Sequence, residues 1–434
     1  MGNPGLRDPL RRPAFRRLAI SFAVNEMGDW LGIVALSALV FELTHSAMAS
    51  AFLFIGTGFL PALLNPFLVA RLERPPPRFV LPTIYALEAT AFCALALLAA
   101  HFSLPAIVAV AAVDGTLALT GKTLTRAVTA TMLEPHGELR AGNAVLNIAF
   151  TGGAAVGPAL GGLVIAGVGT QAALLLDAAS FYAIAWIVLS ARPLPQPQPE
   201  DEVSLREQVR AGLGYIRRNR TLRRLIAAEA TALVFFSAAV PIVVVYANEA
   251  LGVGDAGYGL LFGSWGTGMV FGSVIFARLR RAPLPALLFF STLAIGAGYL
   301  GQAAAPSLLI ACVTAVLGGA GNGIQWVAMV SAVQELTSPS MQARVLGTLE
   351  SSASATPGIG FVLGGLIAAG WSARGAFLVA GVGVIAVAMA AAITLGRNWP
   401  LEQGKERPGS VDAADELMVE LIPAEALPSL ERRS

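Results

Sequence analysis

Polar residues interrupt this 434-residue chain only briefly, and long, mostly apolar runs lie between them. A helix rises about 1.5 Å per residue, so roughly 20 apolar residues cross a hydrocarbon core of about 30 Å. By that measure the runs near 18–43, 48–70, 79–100, 104–126, 142–167 and 171–191 are membrane-crossing helices. Six more fall near 222–247, 257–279, 284–303, 306–333, 344–369 and 373–395. The 306–333 run is long enough to tilt or to contain a break. The pattern predicts an all-α membrane protein with twelve transmembrane helices.

The chain also repeats itself. Gly157-Pro158-Ala159-Leu160-Gly161-Gly162-Leu163 returns 203 residues later as Gly360-Phe361-Val362-Leu363-Gly364-Gly365-Leu366. Arg16-Arg17-Leu18 returns as Arg223-Arg224-Leu225, 207 residues on. Two echoes at nearly one offset predict two six-helix bundles related by a pseudo-twofold axis along the membrane normal, an architecture common in secondary transporters. The division is a tail at 1–17, a bundle at 18–191, a linker at 192–221, a bundle at 222–395 and a tail at 396–434. The linker opens Pro-rich, then places Leu205, Val209, Leu213 and Ile216 at helical spacing, which predicts an amphipathic helix along the cytoplasmic face. The last tail is polar and rich in Pro, Glu and Asp, a composition that predicts disorder.

Composition narrows the class. Hydrophobic residues make up 56% of the chain and charged residues 13%, with a mean hydropathy of +0.69, against about 25% charged in soluble domains. Of the 29 lysines and arginines, all but Arg374 fall in tails and connections that share one side of a twelve-span topology. The positive-inside rule then puts both termini in the cytoplasm. Lys122, Arg126 and Arg140 are counted there with the connection after the fourth run. A net charge of +2 offers nothing to nucleic acid. Cys93 and Cys312 lie inside apolar runs and read as free, buried side chains. Residues 1–17 carry five arginines before a long apolar run that contains acids, unlike a cleavable signal peptide.

Several short motifs share one resemblance. They are Asn25-Glu26-Met27-Gly28-Asp29-Trp30, Thr125-Arg126-Ala127, Asn143-Ala144-Val145-Leu146-Asn147, the Gly157–Gly162 stretch and Gly212-Leu213-Gly214-Tyr215-Ile216-Arg217. In this order and spacing, over about 15–395, the chain resembles the major facilitator superfamily, most closely its bacterial drug, macrolide and siderophore exporters. The resemblance implies a monomer in the bacterial inner membrane that exchanges a small-molecule substrate against protons amid membrane lipids, with no cofactor. It also implies a latch between the halves at the 2–3 loop. Here Glu73-Arg74 stands for the family's Asp-Arg, Val69 for its Gly, and Pro75-Pro76-Pro77 interrupts the basic run. Arg126 is the expected partner of Glu73, Glu350 the partner from the other half, and Lys122 is either part of this gate or snorkels to the interface.

Ionisable groups deep in a bilayer cost at least about 2.5–3.5 kcal/mol, which makes each a functional candidate. Asp29 falls about eleven residues into the first run, at mid-depth, with Asn25 one turn away on the same face and Glu26 beside it. Asp114 has similar depth in the fourth run. The family fold puts both helices on one central cavity, where two acids raise each other's hold on a proton. Glu88, Asp177 and Glu229 are also intramembrane, with their facing left open; Glu229 joins Asp29, Glu26, Asn25 and Asp114 as a candidate for proton or substrate contact. Gly153, Gly157 and Gly161 form a groove for a neighbouring helix, Pro158 removes a backbone donor, and Gly360 and Gly364 repeat the pattern. The resemblance assigns this helix to the moving seam. Trp30, Phe150, Phe235, Phe236, Trp265 and Gln325 are candidates for the cavity wall.

Other signals fail. Gly115–Thr123 looks like a phosphate loop but has one residue too many between its glycines and no strand before it. His45, His101 and His136 fall in separate loops, and no nucleophile has a base, so neither a metal site nor an enzyme is expected. Export, import or lysolipid translocation on this fold, and a scaffold that moves nothing, all remain open from the residues alone.

Overall fold

The computed structural model describes residues 7–72, 75–190, 194–196, 205–279, 282–338 and 341–395. Among these residues there are helices and no strands, and twelve helices are long and apolar enough to cross a membrane. In chain order, spans 1 to 6 are Pro13–Thr44, Ala47–Leu72, Pro77–Ala100, Leu104–His136, Ala141–Val168 and Thr170–Leu189. Spans 7 to 12 are Arg220–Ala250, Gly254–Arg278, Leu284–Ala304, Leu308–Glu335, Arg344–Gly370 and Ala373–Leu395. Every apolar run of the sequence is one of them.

Local chemistry sets the span ends. Spans 1, 3, 4 and 9 carry Pro in their first turn, where the missing N–H would have had no helical acceptor. Span 1 stops at His45 in the left-handed region, with φ 45°. Span 2 then starts on Ser46, whose Oγ accepts from the Ala49 N–H at 3.3 Å. Asn219 caps span 7 in the same way, accepting from the Leu222 N–H at 3.1 Å. Arg374 donates to the carbonyls of Ala303 and Ala305 at 2.8 Å, which closes the end of span 9.

Packing within spans 1–6 is repeated within spans 7–12. Span 1 lies on spans 5 and 6, span 3 on spans 4 and 6, and span 2 on span 4. Likewise span 7 lies on spans 11 and 12, span 9 on spans 10 and 12, and span 8 on span 10. Two seams join the sets, span 5 with span 8 and span 2 with span 11. The repeated glycine motif has the same geometry in both copies. Gly153, Gly157 and Gly161 sit on Glu26, Trp30 and Leu31 of span 1, while Gly360 and Gly364 sit on Val234, Ser237 and Ala238 of span 7. The next glycine of each copy turns to the seam: Gly162 meets Asp255 and Gly259, and Gly365 meets Met48 and Ala51.

The seams differ in material. Span 5 meets span 8 backbone to backbone, with Gly259 on the Pro158 carbonyl, Gly263 on Ala155 and Gly266 on Ala154. Span 2 meets span 11 through side chains. The rings of Phe54 and Phe361 lie 5.7 Å apart, and Phe59 covers Gly358.

Irregular backbone also follows the second seam. Span 2 makes a π-helical turn at Ile55–Phe59, and span 11 is two helices, Gln342–Ala355 and Pro357–Gly370, joined at Thr356. Pro357 has no N–H to continue the ladder and starts the second helix instead. Span 5 runs unbroken through Pro158. Span 7 has a 3-10 turn at Val240–Ile242 and a π turn at Tyr246–Ala250. Span 10, where the length of the run allowed a break, is one α-helix. Its glycines let the backbones of spans 8 and 9 pack directly on it, and no inserted group disrupts the ladder.

The linker helix Leu205–Arg218 docks on the second set. Gly212 meets the Arg344 carbonyl and Thr348, Ile216 is buried among Leu222, Val345 and Leu349, and the Tyr215 hydroxyl accepts from the Ser338 N–H at 3.1 Å. Leu213 is exposed, and the side chains of Leu205 and Val209 lie outside the described residues, as do Glu73, Arg74 and the tail 396–434. Cys93 and Cys312 are free and half-buried. Before span 1, Arg12 grips Glu138 of the 4–5 connection with two hydrogen bonds, 2.7 and 3.0 Å. That grip holds the Glu138 carboxyl below the usual glutamate range.

Candidate functional site

A cavity of about 440 Å³ lies among spans 1, 2, 3, 4, 5 and 11. The helical period brings Glu26, Asp29, Trp30 and Ile33 of span 1 to one wall, and Asp114, Ala118 and Lys122 of span 4 to the wall facing it. Phe54, Thr57, Phe59 and Pro61 of span 2 line it around the π turn, with Phe92, Phe150, Ser354, Pro357 and Phe361 from spans 3, 5 and 11. Asp29 and Asp114 thus face one cavity. The span-2 aromatics were not singled out from the sequence, because an apolar residue on a lipid face and one on a cavity face look alike there.

At the polar wall, Lys122 Nζ lies 3.0 Å from Glu26 Oε2 and 3.0 Å from Asp29 Oδ2. Glu26 is fully buried. Lys122 therefore lines the cavity and pairs with span 1 instead of snorkelling to the interface. Span 4 continues to His136, so Lys122 lies well inside the helix instead of at its end. Asp114 is 8% exposed, and its Oδ1 has no hydrogen-bond partner among the described residues. One lysine can balance only one of its two carboxylates. A proton or a cationic group balances the other, and an ionised Asp114 needs the same. Two carboxylates thus share one lysine in this wall.

Two further acids back this wall without lining it. Asp177 of span 6 packs on Gly28 and Gly32 of span 1 and accepts from the Ser180 hydroxyl at 3.3 Å. Glu88 of span 3 is fully buried beside Gly121, the neighbour of Lys122, with both carboxyl oxygens unpartnered among the described residues. Asn25 is buried but lies off the cavity.

The remaining candidates fall elsewhere. Glu229 lies on a second cavity of about 300 Å³ among spans 7, 9, 10 and 12, where Gln325 Nε2 donates to its Oε2. Neither residue reaches the central cavity. Phe235, Phe236 and Trp265 are also off its wall. Trp265 stacks on Tyr299 with centroids 4.9 Å apart, Phe236 packs against both, and Phe235 covers Gly383. These aromatics fill the second set because its glycines leave ring-sized gaps. Trp30 and Phe150 do line the cavity. Of the expected latch, Glu73 and Arg74 lie outside the described residues; Arg126 and Glu350 are exposed, and neither has an ion pair among the described residues. No group of three His, Cys, Asp or Glu side chains suited to a metal occurs among the described residues.

Comparison with known proteins agrees with this arrangement. A nucleoside transporter, NupG, matches with a TM-score of 0.73 at 12% identity, covering 88% of this chain and 98% of that one. A bacterial homologue of the iron transporter ferroportin, in an inward-facing state, matches at 0.66 and 15% identity, covering 88% and 98%. A bacterial homologue of the human lysosomal transporter Spinster, inward-facing and unoccupied, matches at 0.66 and 12%, covering 90% and 95%. At these identities the likeness is one of fold. No curated protein matches by sequence. The family model described as transmembrane secretion effector matches residues 6–412. With twelve spans, a central cavity and that match over nearly its whole length, the chain belongs to the transmembrane secretion effector family and is a transporter of the major facilitator type.

Proposed function

We propose that the protein exports amphiphilic small molecules (drugs, macrolides or siderophores) from the cytoplasm in exchange for protons, by alternating access. The observation that carries this reading is Lys122 shared by Glu26 and Asp29, with Asp114 on the same apolar and aromatic cavity, its Oδ1 without a partner among the described residues. A proton taken up by Asp29 or Glu26 leaves a neutral ion pair behind, and its release restores a negative wall. Substrate and proton then alternate on one set of charges. The apolar remainder of the cavity suits large, weakly polar cargo.

The halves 18–191 and 222–395 rock on the two seams, with both termini in the cytoplasm, as the one-sided arginines suggest. Glu73 and Arg126 latch the arginine-rich side in one state. Transport into inverted vesicles tests direction and coupling together. An imposed pH gradient, acid inside, is expected to drive accumulation of a labelled macrolide, and a protonophore to abolish it. Accumulation only in right-side-out vesicles would make the protein an importer, and none in either would remove the exporter reading.

A further inference from the structure

The second cavity has its own chemistry. At the 203-residue offset of the glycine repeat, Glu26 maps to Glu229 and Lys122 maps to Gln325. Both pairs are in contact. The first set therefore matches its buried acid with a cation, and the second matches its acid with an amide. Glu229 and Gln325 are each 6% exposed. Among the described residues they are the only ionisable or amide side chains on a wall otherwise built of residues such as Leu225, Ala228, Phe289, Met329 and Ala391. The nearby Arg224 is committed elsewhere, donating to the Thr394 carbonyl at 3.0 Å.

The cavity is a crevice that opens sideways. Spans 9 and 12 touch closely at Gly296 and Gly381, where a Cβ on either would lie about 3.0 Å or less from the other's carbonyl oxygen. Toward Pro285 and Leu395 both spans line the crevice. Its mouth carries Phe290, 66% exposed, and the exposed Ala392, an apolar rim of the kind that faces acyl chains. At the matching place in the first set, Leu288 of this wall is replaced by the larger Tyr85, which is fully buried.

We propose that this crevice binds a lipophilic amine from the bilayer, with its ammonium group at Glu229 and its chain leaving between spans 9 and 12. The charge logic decides the class. A buried carboxylate with no cation beside it among the described residues prefers a partner that brings positive charge and N–H donors, and the apolar rim admits a partner that arrives in lipid. A volume of about 300 Å³ holds a headgroup and part of a chain, at the small end of ligand sites. The site is separate from the central cavity and does not depend on the exporter reading.

The test uses the full chain in nanodiscs and labelled dodecylamine as the probe. One equivalent is expected to bind, and unlabelled dodecylamine is expected to displace it at least tenfold better than dodecanol of equal length. Gln325→Lys installs the first set's own pairing and supplies the missing cation, so affinity is expected to fall at least tenfold. Glu229→Gln should do the same, and Ala391→Trp should block the mouth without touching the acid. Asp114→Asn is the control for binding in the central cavity. Equal displacement by alcohol and amine in the wild-type protein would overturn the proposal, whatever the variants do. So would affinity lost in Asp114→Asn and kept in Gln325→Lys.

Discussion

Glu26 with Lys122 and Glu229 with Gln325 occupy matching places in the two sets, and the structure around them has diverged in opposite directions. In the first set the acid and lysine are joined by Asp29, with Asp114 on the same cavity and Glu88 and Asp177 behind it. At the same offset the second set has Ala232, Leu317, Ser291 and Ala380. The glycine motif, the capping of spans and the pattern of neighbours are common to both. The scaffold is thus duplicated, while the charged side chains are kept on one side of the central cavity. The other side offers Ser354, Pro357 and Phe361, a wall that shapes the cavity without charging it.

Making the first set like the second should have the largest effect. Lys122→Gln recreates the Glu–Gln pair but leaves Asp29 beside a fully buried Glu26 without the cation that contacts both. Breaking a buried ion pair from one side costs about 3–5 kcal/mol. A correspondingly lower midpoint of thermal unfolding in detergent is expected, with recovery when Glu26→Gln is added. A midpoint unchanged in Lys122→Gln would show that the ion pair is structurally idle.

The two seams allow an intermediate test. A methyl group at Gly266 would strike the Ala154 backbone, which cannot yield, so Gly266→Ala should cost about 1–3 kcal/mol. At Gly365 the same methyl meets Ala51 Cβ at 3.0 Å and Met48 Sδ at 3.3 Å, and the methionine can turn away. Gly365→Ala is expected to cost less than about 1 kcal/mol. Thermal unfolding of the two variants side by side measures the difference, and equal losses would remove the distinction between a backbone seam and a side-chain seam.

Outside the membrane the expected effect is smallest. Arg12 holds Glu138 below its ordinary range, so this pair stabilises the fold above the unfolded glutamate value and loses its contribution as pH falls through the folded one. The pair is partly exposed, which limits it to about 1 kcal/mol or less. Glu138→Gln should lower the unfolding midpoint slightly at neutral pH, and the gap to wild type should close in acid. A gap that widens in acid would mean the sign is wrong.

Much of this could be read in the residues. Apolar run length gave all twelve spans, because a hydrocarbon layer imposes one length on every crossing helix. Asp29 and Asp114 were legible as a facing pair from depth and family likeness. Lys122 was not, because depth was counted to the last apolar residue while the helix continues to His136. A long amphipathic end hides how far a charge lies from water. The facing of Glu88, Asp177 and Glu229 was also out of reach, since a helix buried on several sides has no single apolar stripe to orient it. The Glu229–Gln325 pair did leave a signal, the 203-residue offset already evident in the glycines, which applies to charges as well as to packing residues.

The assignment of mobile charge to the first set can be tested most directly with one variant and two transport modes. Purified Asp29→Asn in proteoliposomes would be assayed for accumulation driven by a pH gradient and for exchange of labelled against unlabelled substrate without one. Gradient-driven accumulation is expected to fall at least tenfold while exchange survives. Accumulation that matches wild type would contradict proton exchange at the Glu26–Lys122–Asp29 cluster.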